Sequence, residues 1–412
     1  MKVALVNQPI GRFTLPPDSS IMIGLHEVGR RLARSAEVLV YARRGGSQPA
    51  VEHADGLEIR RLPEVREVPG LRRLVRLFER RAAQSYAAPW QALDYALAVA
   101  LDARARRCDV IHVPNYSQFL PILRAFNPAA RLVLHMHCEW LTQSPRAVIA
   151  PRLRQAHRIV GVSAYLTETI RARFPEYADR CRTVPNGVDV PAFAAGARPP
   201  ANGCRRVLFV GRVSPEKGVH DLLAAFRALA AEDPGLHLDI VGARRPLSLD
   251  FLLSLSADAA VADLARFYDG RTATDYGAYL QHYLAEAGLE GRVRFWGVLP
   301  YPGMVAAYQQ ADVLVNPSYS ESFGMSLIEA MASGVPVIAT RIGGMPEIVE
   351  GSGAGRLVER GDVAALTEAV RGVLADEAGR QRMGQAGREH AQAHYSWERV
   401  AEDWRRLYQG LA

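Results

Sequence analysis

Residues 311–344 read ADVLVNPSYSESFGMSLIEAMASGVPVIATRIGG. Two short apolar runs, ADVLVNPS (311–318) and VPVIATRI (335–342), bracket a glycine turn and a segment with helical apolar spacing, SLIEAMASG (326–334). Short apolar runs bounded by Pro and Gly predict buried strands, and strand–helix–strand is the unit of a parallel sheet. Ligands of such sheets sit at the carboxyl ends of the strands. The turn between the first strand and the helix is therefore the place to look for chemistry. It carries Glu321 before Gly324, and Glu329 eight residues after Glu321.

The alternation extends in both directions. VALVNQ (3–8), VLVYA (38–42), DVIHVP (109–114), RLVLHMH (131–137) and RIVGVS (158–163) predict strands of a first sheet. GLHEVGRRLARSAE (24–37), with Leu25, Val28 and Leu32 in helical register, predicts a helix between the first two. The pattern breaks after Pro185-Asn186-Gly187-Val188-Asp189, and a Pro-, Gly- and Ala-rich stretch runs to Asn202-Gly203. It resumes with RRVLFVGR (205–212), LHLDIVGA (236–243) and RVRFWG (292–297). Two parallel-sheet α/β domains are expected: residues 1–195, then residues 203–392, with a terminal helix over 393–412 crossing back to the first.

A chain of 412 residues is too long for one ordinary core, which agrees with two domains. Hydrophobic content of 49% and charged content of 23% fit a globular enzyme. Cys108, Cys138, Cys181 and Cys204 show no metal-ligand or C-x-x-C spacing, so reduced thiols and a cytoplasmic setting are expected. The opening MKVALVNQPIG reads as a buried strand, not a signal peptide, and no apolar run of about 18 residues predicts a membrane span. The net charge of +7 is unevenly spread. Residues 1–195 carry 28 basic and 17 acidic groups, whereas the remainder carries 22 and 26. The basic half favours an anionic partner, although an arginine-rich composition with only Lys2 and Lys217 as lysines accounts for it equally. No nucleic-acid-binding module accompanies the charge, so nucleic acid is not expected as a partner.

GRVSPEKG (211–218) follows a predicted strand. Gly211 lets backbone approach a ligand, and Arg212 and Lys217 add cations at a helix start, where N–H groups already favour anions. The segment is neither a P-loop nor a G-x-G-x-x-G fingerprint. The Gly324 turn offers amides to a phosphate in the same way. Glu321 and Glu329 only accept hydrogen bonds when ionised, so their natural ligands are hydroxyls. Acids on both sides of a phosphate-binding turn suit a molecule with phosphates in the middle and hydroxyls at each end, which is the plan of a nucleotide sugar.

Taken together, Gly211-Arg212 with Lys217-Gly218, the Glu321/Glu329 pair around Phe323-Gly324, Gly343-Gly344 with Pro346-Glu347, and Asn186-Gly187-Val188-Asp189 resemble the retaining glycosyltransferases of family 4. The resemblance spans nearly the whole chain and is strongest from 205 to 375. It implies the GT-B fold, in which two Rossmann-like parallel-sheet domains face each other across a cleft. It also implies a nucleotide-diphosphate sugar (UDP- or GDP-sugar) as donor, an acceptor hydroxyl and no cofactor. Arg212 and Lys217 would bind the diphosphate, with backbone at Gly211, Gly324, Met325, Ser326 and Leu327. Glu321 would hold the transferred sugar and Glu329 the ribose. Arg294–Leu299 and Val241–Ala243 would flank the base, and His137 would face the donor sugar. The acceptor would bind near Ser19, Ser20, Asn115, Tyr116 and Glu139.

No D-x-D pair occurs, so metal-independent transfer is expected, with retention by same-face attack. Two departures from the family pattern stand out. Pro16 to Gly24 replaces the usual glycine pair of the first loop, and 244–280 looks longer than the usual connection, reading as added helix in the role of a lid or oligomer contact. LRRLVRLFERRAAQ (71–84) reads as a basic amphipathic helix suited to peripheral contact with an anionic membrane. The same two-domain layout also serves nucleotide-sugar epimerases, sugar phosphorylases and a non-catalytic nucleotide-sugar binder.

Overall fold

The computed structural model describes residues 1–17, 19–63, 91–194, 204–244, 249–253, 258–268 and 276–411. The segment 71–84 lies outside the described residues. The chain forms two compact units, Met1–Asn186 with Trp397–Ala412 and Gly187–Ser396. The boundary thus falls earlier than residue 195. The reason is packing: Val188 N–H donates to the Tyr395 carbonyl at 2.7 Å, and Phe193 packs edge-on against Tyr301 and Tyr308, all in the second unit.

The first unit holds β1 (Lys2–Val6), β2 (Glu37–Arg43), β3 (Val51–Ala54), β4 (Leu57–Leu62), β5 (Val110–Pro114), β6 (Arg131–Met136), β7 (Arg158–Gly161) and β8 (Cys181–Thr183). Their order is β3-β4-β2-β1-β5-β6-β7-β8. All neighbours are parallel except β3 and β4. That antiparallel hairpin was not foreseen. Asp55 and Gly56 turn it, both at positive φ (53° and 79°), as a tight two-residue hairpin turn requires. Helix Ser20–Leu32 buries Met22, Leu25, Val28 and Leu32 on this sheet. The terminal helix Trp397–Gln409 joins the same core with Trp397, Val400, Trp404 and Tyr408, at a spacing that keeps one helical face apolar.

The second unit holds β9 (Arg205–Val210), β10 (Leu236–Val241), β11 (Val293–Gly297), β12 (Val313–Asn316), β13 (Val337–Thr340) and β14 (Gly355–Val358). They run parallel in the order β11-β10-β9-β12-β13-β14, so the strand order reverses between β9 and β12. The described part of 244–280 corrects its reading as a continuous added helix. Asp258 caps a fresh helix, accepting from Ala260 N–H at 2.9 Å, and Leu252, Val261, Leu264, Phe267, Tyr276 and Leu280 are buried with Val207 and Ile240. These residues belong to the core and do not form a lid. Among the described residues no helix is long and apolar enough to cross a membrane, and all four cysteines are free thiols.

Candidate active site

The reversal between β9 and β12 is where this topology leaves a crevice. Gly211 and the exposed Arg212 follow β9. A 3-10 turn, Pro215–Lys217, then leads through Gly218 into helix Val219–Glu232. Gly218 sits at φ +67°, and a Cβ there would collide with the Pro317 carbonyl of the loop after β12. Tyr319 N–H donates to the Glu216 carbonyl at 2.7 Å, zipping the two loops together. Lys217 Nζ therefore reaches Glu321 Oε2 at 2.7 Å, with both side chains only about a fifth exposed (22% and 21%). The loop after β13 completes the frame. Gly344 N–H donates to the Glu321 carbonyl at 3.2 Å, and a Cβ on Gly343 (φ +54°) would strike that carbonyl.

Helix Met325–Ala332 starts at Gly324. Its first-turn amides and dipole favour an anion beside the Lys217–Glu321 pair. Ser326 Oγ accepts from Asn316 Nδ2 at 3.2 Å, tying the helix start to the end of β12. One turn on, Glu329 accepts the Tyr308 hydroxyl at 2.6 Å. Burial pushes the Glu329 carboxyl up to about 7, against the opposing pull of the Tyr308 hydrogen bond. A carboxyl so placed changes charge near neutrality, which is a common mark of a functional position. Behind the site, Tyr319 donates to Asp221 at 2.8 Å and stacks on His220, which burial pushes down to about 3. Tyr276 lies within hydrogen-bonding distance of His220 Nδ1 (2.9 Å), so the extra segment braces the start of helix Val219–Glu232.

Two further residues expected at the donor have partners within the unit. Leu327 is wholly buried and its amide donates to the Gly324 carbonyl, so it supports the turn from inside. Arg294 lies in register with Asp239 inside β11, the edge strand, and its guanidinium covers the Trp296 ring at 3.5 Å. Arg294 and Trp296, two residues apart, share one face of the strand.

In the first unit, Asn115 and His137 end the neighbouring strands β5 and β6. Asn115 adopts φ +60°, rare for a buried non-glycine residue, and its Oδ1 accepts the His137 amide at 2.7 Å. Burial pushes the His137 imidazole down to about 3, so it stays neutral at physiological pH. Tyr116 is buried against Phe119, and Glu139 accepts the Tyr165 hydroxyl at 3.1 Å. Ser19 caps helix Ser20–Leu32, accepting from Met22 N–H at 3.4 Å. The helix cap therefore claims one hydroxyl expected for the acceptor, and packing claims Tyr116.

Two family profiles match along the chain. Glycosyl transferases group 1 matches residues 197–390, and Glycosyltransferase Family 4 matches residues 23–191. The chain belongs to the family 4 glycosyltransferases. Among its curated relatives is a glycogen synthase of Mycobacterium tuberculosis, 31% identical over 276 residues, which are 66% of this chain and 59% of that protein. A D-inositol 3-phosphate glycosyltransferase of Corynebacterium glutamicum is 34% identical over 240 residues, 56% of this chain and 51% of that one. The chain thus spans between half and three fifths of the length of these relatives. Spore coat protein SA of Bacillus subtilis is 26% identical over 99% of both chains. Among solved structures, sucrose-phosphate synthase from Thermosynechococcus elongatus matches with a TM-score of 0.72 at 24% identity, covering 100% and 98% of the two chains. Anabaena HepE in complex with UDP and glucose matches with 0.69 at 18%, covering 99% of each. These two glycosyltransferase structures share the GT-B fold with the present chain.

The close contacts at Gly218 give a direct test of the site's framework. Gly218→Ala is expected to destabilise the second unit by about 2 kcal/mol or more, through a positive φ and the collision with Pro317. The melting midpoint should fall by about 4–8 °C. A variant that melts with wild type would show that the two loops are not held together as described.

Proposed function

We propose that this protein is a retaining glycosyltransferase that moves a sugar from a nucleotide-diphosphate sugar to an acceptor hydroxyl. The observation that carries the reading is the Lys217–Glu321 contact at the β9/β12 reversal. A cation suited to phosphate and a carboxylate suited to sugar hydroxyls stand side by side at the start of a helix. Glu329, one turn further, suits the ribose. The UDP and glucose held by HepE support the donor class, which is UDP- or GDP-sugar.

In this reading, cleavage of the bond between the sugar and the diphosphate puts negative charge on the leaving phosphate oxygens. Arg212, Lys217 and the amides of Gly324 and Met325 stabilise that charge where it develops. Glu321 binds sugar hydroxyls as the anomeric carbon gains positive character. The acceptor attacks from the face the diphosphate leaves, and the departing phosphate takes the hydroxyl proton. His137, uncharged, is the first unit's candidate contribution, held by Asn115. We infer a cytoplasmic setting; the expectation of membrane contact rests on 71–84, which lies outside the described residues.

The charge-stabilising role falls to Arg212 and Lys217, so a divalent cation is not required. Release of nucleoside diphosphate from the donor is expected to continue unchanged in EDTA. Loss of release, restored by magnesium or manganese, would reject this part of the mechanism.

A further inference from the structure

The end of the first sheet opposite Asn115 and His137 carries a second concentration of charge. Arg131 opens β6, Arg158 opens β7, Arg180 precedes β8 and Arg182 lies within it. The strands are neighbours, with Val133 opposite Arg158 and Val160 opposite Arg182. Adjacent strands run about 4.8 Å apart, so the arginines are crowded along one edge. Arg124, from helix Leu120–Phe126, reaches the same place by donating to His157 Nδ1 at 3.0 Å. The Leu132 amide also donates to that nitrogen at 2.9 Å. Two donors on one ring nitrogen fix it as an acceptor, so His157 is uncharged. Its pKa is pushed down to about 4 by burial and by Arg124, Arg131, Arg180 and Arg158.

Four of the five guanidiniums are held by backbone carbonyls, yet their charge is not neutralised. Arg124 donates to the carbonyls of Pro128, Ala130 and Gln155. Arg180 donates to those of Arg154 and Ala156, Arg158 to that of His157, and Arg182 to those of Asp179 and Cys181. Among the described residues none of the five forms an ion pair with a carboxylate. By contrast, Arg146 and Arg171 of the same unit pair with Glu176 and Glu168. Four of these like charges act on the neutral imidazole and Arg182 acts on Arg158, so they repel one another, and an anion placed among them relieves that repulsion. Planar guanidiniums bind phosphate oxygens two at a time, and spacing close to the strand repeat favours several phosphates together.

We propose that Arg124, Arg131, Arg158, Arg180 and Arg182 form a binding surface for clustered phosphate groups, at the opposite end of the sheet from Asn115 and His137. Occupying it leaves the carboxyl-end loops of the unit free, so it anchors the protein to a phosphate-bearing partner without competing for that end. The phosphates belong either to a soluble polyphosphate or to lipid headgroups, and the test separates the two.

The full chain is kept in saturating UDP, so that phosphate binding near Arg212 and Lys217 is blocked. Binding of inorganic tripolyphosphate is measured by calorimetry, and co-sedimentation is measured with vesicles of phosphatidylglycerol and phosphatidylcholine or of phosphatidylcholine alone. The exposed pair is replaced as Arg131→Ser with Arg182→Ser, and Arg34→Ser serves as a control for general charge. Wild type is expected to bind one of the two anionic partners with affinity that falls steeply with salt. The double variant should lose about tenfold or more, the control should lose little, and UDP affinity should not change. Tripolyphosphate binding without vesicle binding assigns a soluble ligand. Vesicle binding that needs phosphatidylglycerol and depends on Arg131 and Arg182 assigns headgroups. No binding of either partner at low salt, or equal losses in the double variant and the control, would overturn the proposal.

Discussion

Glu329→Gln is expected to make the protein more stable at pH 8 while weakening its hold on a nucleoside diphosphate. Burial raises the Glu329 carboxyl to about 7 in the folded chain, whereas an unfolded glutamate titrates near 4.5. Between those values the folded state holds the extra proton, so stability falls as pH rises through that window. By pH 8 the ionised, buried carboxylate costs up to about 3 kcal/mol, and Gln removes that cost while still accepting from Tyr308. Thermal melts should show wild type losing stability from pH 5 to pH 8 more than the variant does. If the carboxylate binds the ribose hydroxyls, UDP affinity should drop by about 1–3 kcal/mol in the variant. A variant less stable than wild type at pH 8, or one that binds UDP equally well, would mean Glu329 is a structural residue satisfied by Tyr308.

The Lys217–Glu321 pair gives the second large effect. The two side chains neutralise each other at 2.7 Å. Glu321→Ala frees Lys217, so UDP, which lacks the transferred sugar that Glu321 would hold, should bind as well as before or more tightly. Turnover of the donor should nevertheless fall by about a hundredfold or more, because the lost contact acts on charge that develops in the transition state. Lys217→Ala should weaken UDP by about 1.5–3 kcal/mol and lower turnover as well. Calorimetry and initial rates on both variants separate the roles. Loss of UDP binding in Glu321→Ala with retention in Lys217→Ala would reverse the assignment.

Much of this site could be read from the sequence because its parts are local. Gly211 to Gly218 and Ser318 to Ser326 each lie on one strand–loop–helix unit, and topology alone brings two such units together at the reversal of strand order. The glycines signalled close approach, and Gly218 and Gly343 meet carbonyls of the neighbouring loop. What escaped the reading depends on tertiary contacts. Tyr308 precedes Glu329 by 21 residues on another helix, and no periodicity links them. Arg294 is named only through the family resemblance, and its stacking on Trp296, two residues along β11, has no periodic signal of its own. Ser19, immediately before the apolar periodicity of helix Ser20–Leu32, carries an N-cap signal in the sequence itself. Asp55-Gly56, flanked by alternating residues, signalled the β3–β4 hairpin and could have been used. The extra segment could not be judged by length, because its role depends on Tyr276 and Phe267 reaching the core.

The central claim is retaining sugar transfer driven from the β9/β12 reversal. It is tested most directly by real-time proton NMR of wild type and Lys217→Ala with a panel of α-linked UDP- and GDP-sugars, water serving as acceptor where no other is known. The account predicts nucleoside diphosphate release from at least one donor, with the α-anomer of the free or transferred sugar appearing first, and release reduced by about a hundredfold in the variant. A β-anomer appearing first, no release from any donor, or release undiminished in Lys217→Ala would contradict it.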